Sequence, residues 1–275
     1  MEPGRHRGDD PARAPAALTR IINAWLGGNV NTSADRAAAN ELATWWPGVA
    51  RAVNEERAFV LRAVNWAAWH GTVQFLDAAA WLPWGPTVRS IAGAVAPSSR
   101  VVAATGDLFV LTHARVTAGE PGLAAVYQTV SDPAGMLADP VLQQVISLRV
   151  PVCVILSHVL HLMPSVQAQT VVMGFMARLV PGSCVIVSVP VFDTRGHPDE
   201  VAGFRKVHED VTGQPVYLHA ERDVAAWLGG LEVDGEVADV RAWRAPHPVG
   251  RVAPRPVGRI IGAVARRERG GRRAV

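Results

Sequence analysis

Five short runs rich in Val, Ile and Ala, separated by stretches of helical pattern, constrain this chain more than any other feature. They are residues 72–77 (TVQFLD), 100–105 (RVVAAT), 124–128 (AAVYQ), 152–157 (VCVILS) and 184–189 (CVIVSV), bounded by Pro, Gly or Ser. Helical stretches lie between them at 87–95, 107–118, 133–145 and 166–179. Strand and helix in alternation predict an α/β fold, a mostly parallel sheet with helices on both faces. The runs are near-continuously apolar, as strands covered on both sides are. None reaches the ~18 uninterrupted apolar residues of a membrane span. The greasiest segment, 150–163, is broken by Pro151, Ser157, His158 and His161.

The ends read differently. Residues 18–26 predict a helix stopped by Gly27-Gly28, and Asn31-Thr32-Ser33 offers cap chemistry for the next helix over 34–45. A third helix fits 49–70, stopped by Gly71. Residues 18–71 are thus a helical extension or lid ahead of an α/β domain over 72–265. Beyond Pro190, helices at 200–211 and 221–228 precede short runs at 231–233, 237–243 and 259–265, an antiparallel end to the sheet. Residues 1–17 read as a disordered start without the apolar block of a signal peptide, and 266–275 as a frayed tail.

Composition narrows the functional classes. With 275 residues, 49% of them hydrophobic and 19% charged, the chain can bury a large core without disulfides or a structural metal. Cys153 and Cys184 sit in apolar runs and read as free buried thiols of a reducing cytoplasm. Residues 241–275 hold ten arginines against one acid, so the rest of a chain of net charge +3 is acidic. The basic character belongs to the tail, and the body lacks the basic face of a nucleic-acid binder.

In an open parallel sheet, ligands bind beyond the C-terminal strand ends, where strand order reverses. That rule selects Asp77 and the residues after it, then 105–107, 129–132 and 157–161. There is no Gly-x-Ser-x-Gly elbow and no Gly-Lys-Ser/Thr phosphate loop. Lys206 is the only lysine and lies outside the strand ends, which disfavours Schiff-base chemistry.

From about Arg20 to Ala265 the sequence resembles the actinobacterial S-adenosylmethionine-dependent methyltransferase family once defined as a domain of unknown function. The matching pieces are Leu26-Gly27-Gly28, Asn31 and Asp35-Arg36, then Arg57-Ala-Phe59, Arg62-Ala-Val64, Phe75-Leu76-Asp77 and Leu82-Pro83. Asp132-Pro133, Leu160-His161 with Pro164, and Pro181-Gly182-Ser183 follow in order. The resemblance implies the class I methyltransferase sheet, five parallel strands plus an antiparallel hairpin. It also implies a small-molecule methyl acceptor, with residues 25–35, including Gly28 and Asn31, as a lid over the cofactor.

The departures from the family bear on the cofactor. The acid ending the first strand, Asp77, is normally followed by Gly-x-Gly; here the two glycine positions are Ala79 and Trp81. A β-carbon where φ must be positive is strained, and an indole beside the ligand fills its space. Thr105 stands where an acid usually holds the ribose, with Asp107 two residues later, and Thr129 where an acid usually faces the adenine amine. Hydrogen bonds to charged groups contribute roughly 1.5–3 kcal/mol each, so losing two weakens binding by ~10²- to ~10⁴-fold.

Each candidate also has a structural reading. Asp107 and Asp132-Pro133 suit helix caps as well as ligand contacts. His158 and His161 make a bare His-x-x-His, weak as a metal site without Cys or acid neighbours. His161 keeps a family position and is the candidate general base. Two functions remain: methyl transfer from S-adenosylmethionine to a small acceptor, or a relative that lost the cofactor and binds partners through its helical face or tail. Ala79 and Trp81 pointing into the pocket favour the second; an open cleft with both pointing away favours the first.

Overall fold

The computed structural model describes residues 16–117, 120–245 and 256–268. Strands β1 (Gln74–Asp77), β2 (Arg100–Thr105), β3 (Leu123–Tyr127), β4 (Cys153–Ser157) and β5 (Cys184–Phe192) run parallel in one sheet. The two-residue strands β6 (Glu232–Val233) and β7 (Ala238–Asp239), and the long β8 (Gly258–Arg266), complete it; β8 is antiparallel to β5, β6 and β7. The order is β3-β2-β1-β4-β5-β8-β6, with β7 also on β8. The chain builds outward from β1 to β3, then returns to lay β4 on the other side of β1. The loops leaving β1 and β4 therefore diverge and open a crevice at their C-terminal ends.

Alternation of Cβ along each strand sorts the core into two layers. Phe75, Val101, Ile155 and Ile186 face one side, Leu76, Val102, Val154 and Val187 the other. The first layer is covered by α1 (Leu18–Trp25), α2 (Ser33–Trp45), α3 (Val49–Trp69), α4 (Val88–Val95) and α9 (Pro198–Thr212). The second lies under α6 (Pro133–Ala138), α7 (Pro140–Val145), α8 (Ser165–Arg178) and α10 (Glu221–Trp227). α5 (Leu108–Thr117) packs along β2 and β3.

Asp35 locks the N-terminal helices together. It forms the capping box of α2 with Thr32, and its buried carboxylate takes Arg20 Nε at 2.9 Å and the Ala17 amide at 3.1 Å. Burial raises its pKa, but these donors outweigh that and hold it below the ordinary carboxylate value.

Several elements depart from the sequence reading. The helix expected over 133–145 is two helices, because Asp139 precedes Pro140 and is driven out of helical geometry. Its carboxylate then caps the restart, accepting the Val141 and Leu142 amides at 2.8 and 3.2 Å. The run at 237–243 gives only β7, since Asp239 binds the Arg241 amide and guanidinium and turns the chain. β5 continues through Pro190 to Phe192; β4 ends opposite Ser188, so no ladder bond on that side is lost.

Arg266 belongs to β8, and Arg267 donates from Nη1 to the carbonyls of Met176, Ala177 and Leu179 at the C-terminal end of α8. The expected fraying therefore does not begin at Arg266. The remainder of the tail and most of the residue 1–17 segment lie outside the described residues. Among the described residues, no helix is long and apolar enough to cross a membrane.

Candidate functional site

A cleft of about 400 Å³ opens over the C-terminal ends of β1 to β4, within the usual size range of small-molecule sites. Its walls are the turn after β1 (Ala78 to Trp81), the β2 end (Thr105 to Asp107), the β3 end (Gln128 to Val130) and the β4 end (His158, Val159, Leu162). Residues 16–19 at the start of α1 border it, as do Thr212 and Gln214 where α9 ends. Of the cofactor candidates, the cleft gathers Ala79, Trp81, Thr105, Asp107 and Thr129.

The turn after β1 does without glycine. None of its residues has a positive φ; among the described non-glycine residues only His158 and Arg244 do. The expected strain at Ala79 and Trp81 is therefore absent. The Ala78 amide instead bonds to the Ile155 carbonyl at 3.1 Å and the Ala80 amide to the Ala104 carbonyl at 3.0 Å. The Ala79 amide donates to the Asp77 carboxyl. Ala79 and Trp81 both line the cleft, yet it stays open around them.

Asp77 does not line the cleft. It shares the parity of Phe75 and points below the turn, into a neighbouring cavity of about 350 Å³ lined also by Arg57, Arg89 and Glu120. Burial pushes its carboxyl up to about 6, against the charge of Arg57 and the Ala79 amide, which lower it. Gly28 and Asn31 line neither cavity. A Cβ on Gly28 would sit 2.3 Å from Asn23 Nδ2, so only glycine allows this close approach. Asn31 Nδ2 donates to Asn23 Oδ1 and to the Gly28 carbonyl, closing the loop between α1 and α2. Their contacts hold the loop between α1 and α2, outside both cavities.

The β2 end is better placed. Asp107 Oδ1 caps α5, accepting the Phe109 amide at 2.8 Å, while Oδ2 accepts the Thr19 hydroxyl of α1 at 2.7 Å. Thr105 Oγ1 steadies this turn by accepting the Asp107 amide at 3.1 Å. At the β3 end, the Thr129 and Ser131 hydroxyls pair at 3.0 Å, and Asp139 Oδ2 holds Gln128 Nε2 at 2.9 Å.

His161 sits behind the cleft wall rather than on it. It is buried, its Nδ1 has no hydrogen-bond partner, and burial with the neighbouring His158, His208 and His219 holds its pKa well below the usual imidazole range. The residue that faces the cleft is His158. Its Nδ1 lies 2.7 Å from Oε2 of Glu56, a carboxylate from the middle of α3 with no solvent exposure. The signal for Glu56 was in the sequence: it lies in register with the buried Val49, Val53 and Val60, an acid on an apolar stripe. Among the described residues no cluster of His, Cys, Asp and Glu could hold a metal.

The family profile of the S-adenosyl methyltransferases matches residues 10–268. The chain belongs to this family. The fold agrees with two solved structures. One is a DUF574 family protein from Streptomyces avermitilis, 26% identical, with a TM-score of 0.84, covering 92% of this chain and 98% of the other. The second is a candidate methyltransferase from Thermobifida fusca, 25% identical, with a TM-score of 0.84, covering 96% and 100% of the two chains. No functionally curated protein matches the sequence. The expected class I methyltransferase sheet is thus the fold of a family member, although its first-strand acid is turned away from the cleft.

Proposed function

We propose that the cleft binds S-adenosylmethionine and that the protein passes the methyl group to a small acceptor. The observation that carries this reading is the Asp107 carboxylate at the β2 end: its Oδ2 already takes a hydroxyl, that of Thr19, at 2.7 Å. A carboxylate oxygen has more than one acceptor site, so a ribose hydroxyl can join or replace Thr19 there. Thr129, Val130 and Leu162 would hold the adenine end, and the Ala78-to-Trp81 turn with His158 the methionine end. Bound there, the cofactor supplies an electrophilic methyl on a sulfonium. The chain's task is to align the acceptor at close range and exclude water.

Thr212 and Gln214 share the cleft with His158, which supports an acceptor small enough to fit beside the cofactor. Cys153 and Cys184, free and buried on adjacent strands, support a reducing, cytoplasmic setting. The reading needs no nucleic acid and no membrane. Calorimetric titration with S-adenosylmethionine and S-adenosylhomocysteine tests it, with micromolar binding expected. Folded protein that binds neither at millimolar concentration sinks it and leaves the relative that lost its cofactor.

A further inference from the structure

The end of β4 carries an arrangement that packing does not require. His158 has φ +54, a left-handed backbone uncommon outside glycine, though His adopts it more readily than most residues. Its amide is held by the Ser188 carbonyl at 3.2 Å, and its ring sits edge-on to Trp81, with centroids 5.7 Å apart. Glu56 reaches it from α3, and Ser157 Oγ donates to the other oxygen, Oε1, at 3.4 Å; Ser188 Oγ backs Ser157 at 3.1 Å. A buried carboxylate is tolerated only when paired, and a buried ion pair is often replaceable by apolar residues without loss of stability. Strain and a buried acid at one cleft residue point to chemistry.

The 2.7 Å contact suits an Nδ1–H donating to a Glu56 carboxylate, the arrangement in which Nε2 is left without a proton. Nε2 then holds a lone pair, and the residue lines the cleft. The other titratable groups around the ring are the imidazoles of His161, centroid 4.7 Å away, and His208 on α9. His161 lacks both features, the cleft and the carboxylate.

We propose that Glu56 and His158 form the proton-accepting dyad of the cleft, and that the methyl acceptor is a small phenol or a similarly acidic hydroxyl. The proposal rests on the methyl-transfer reading above. The acceptor O–H bond breaks, an N–H bond forms at Nε2, and the electron pair left on oxygen bonds the methyl carbon. The pair of the carbon–sulfur bond stays on sulfur as a neutral thioether. Glu56 balances the imidazolium. A phenol with a pKa of about 10 lies within reach of an imidazole, ordinarily about 6.5, whereas an aliphatic alcohol does not.

Nitrogen-15 NMR of histidine-labelled protein reads the tautomer directly. The expected result is one form of His158, protonated at Nδ1, turning into a mixture in Glu56→Gln. An Nε2-protonated form in the unsubstituted protein overturns the dyad, whether or not the variant folds. Diethyl pyrocarbonate with peptide mapping reads access: His158 should be modified at least tenfold faster than His161, and S-adenosylhomocysteine should protect it. Equal rates overturn the assignment of His158. 4-Nitrophenol, one pH unit below its own ionisation point and with S-adenosylhomocysteine present, should gain phenolate absorbance on wild-type protein and not on His158→Gln. An unchanged spectrum overturns the phenolic class. A correct tautomer with fast modification, but no binding or protection by S-adenosylhomocysteine, leaves the dyad standing and defeats the cofactor reading instead.

Discussion

The Thr19 hydroxyl on α1 donates to Asp107 Oδ2 at 2.7 Å, tying the helical extension to the end of β2 across the mouth of the cleft. Thr19 comes from the extension and Asp107 from the sheet, so ligand binding and closure of the extension meet at one oxygen. If that carboxylate holds the ribose, its charge contributes roughly 1.5–3 kcal/mol to binding. Asp107→Asn keeps an efficient helix cap for α5 while removing the charge. The expected outcome is S-adenosylhomocysteine binding weakened by about 10- to 100-fold, with little change in melting temperature. Calorimetry checks the first and thermal unfolding the second; unchanged affinity would place the ribose elsewhere.

The turn after β1 makes a prediction opposite to the glycine pattern of the resemblance. Ala79 sits at negative φ, so glycine there adds only unfolded-state freedom. Ala79→Gly should destabilise the protein by about 0.4–1 kcal/mol and leave S-adenosylhomocysteine affinity within a factor of three. A tenfold gain in affinity on restoring the glycine would show that Ala79 obstructs the site.

Arg267 bonds the Met176, Ala177 and Leu179 carbonyls, the acceptors left open where α8 ends. A cation there is also favoured by the helix dipole. Arg267→Ala should lower stability by about 1.5–3 kcal/mol, measured by denaturant unfolding, without altering ligand affinity. No loss would mean that these carbonyls are equally well served by water.

The sheet was legible because its strands are unbroken apolar runs, and alternation with helices allows few topologies. The cleft was legible from the same rule, through the strand ends. The strand-end rule selected Asp77 as well, but not which cavity it faces; its parity with Phe75 carries it toward the α3 layer and the smaller cavity. Glu56 left a trace as an acid on the buried stripe of α3, but not its partner, 102 residues away. The left-handed backbone of His158 leaves no pattern in sequence, since no neighbouring glycine or turn signature marks it. Gly28 and Asn31 carry no sign in sequence of their contacts with Asn23, which only the geometry shows.

The elevated pKa of Asp77 makes stability depend on pH in a defined direction. Burial raises the folded-state value from 3.8 to about 6, against the opposing charge of Arg57. Between those values the folded state binds more protons than the unfolded one, so stability falls as pH rises. Below pH 3.8 the carboxyl is protonated in both states and contributes nothing; above about 6 the full penalty applies, on the order of 2–3 kcal/mol. Asp77→Asn imitates the protonated form and can still accept the Ala79 amide through its side-chain oxygen. The variant should match the parent protein near pH 4 and exceed it in denaturant unfolding at pH 8. If the two proteins instead keep a constant difference from pH 4 to pH 8, Asp77 ionises as freely in the fold as in the unfolded chain. Arg57 would then neutralise it fully across the smaller cavity.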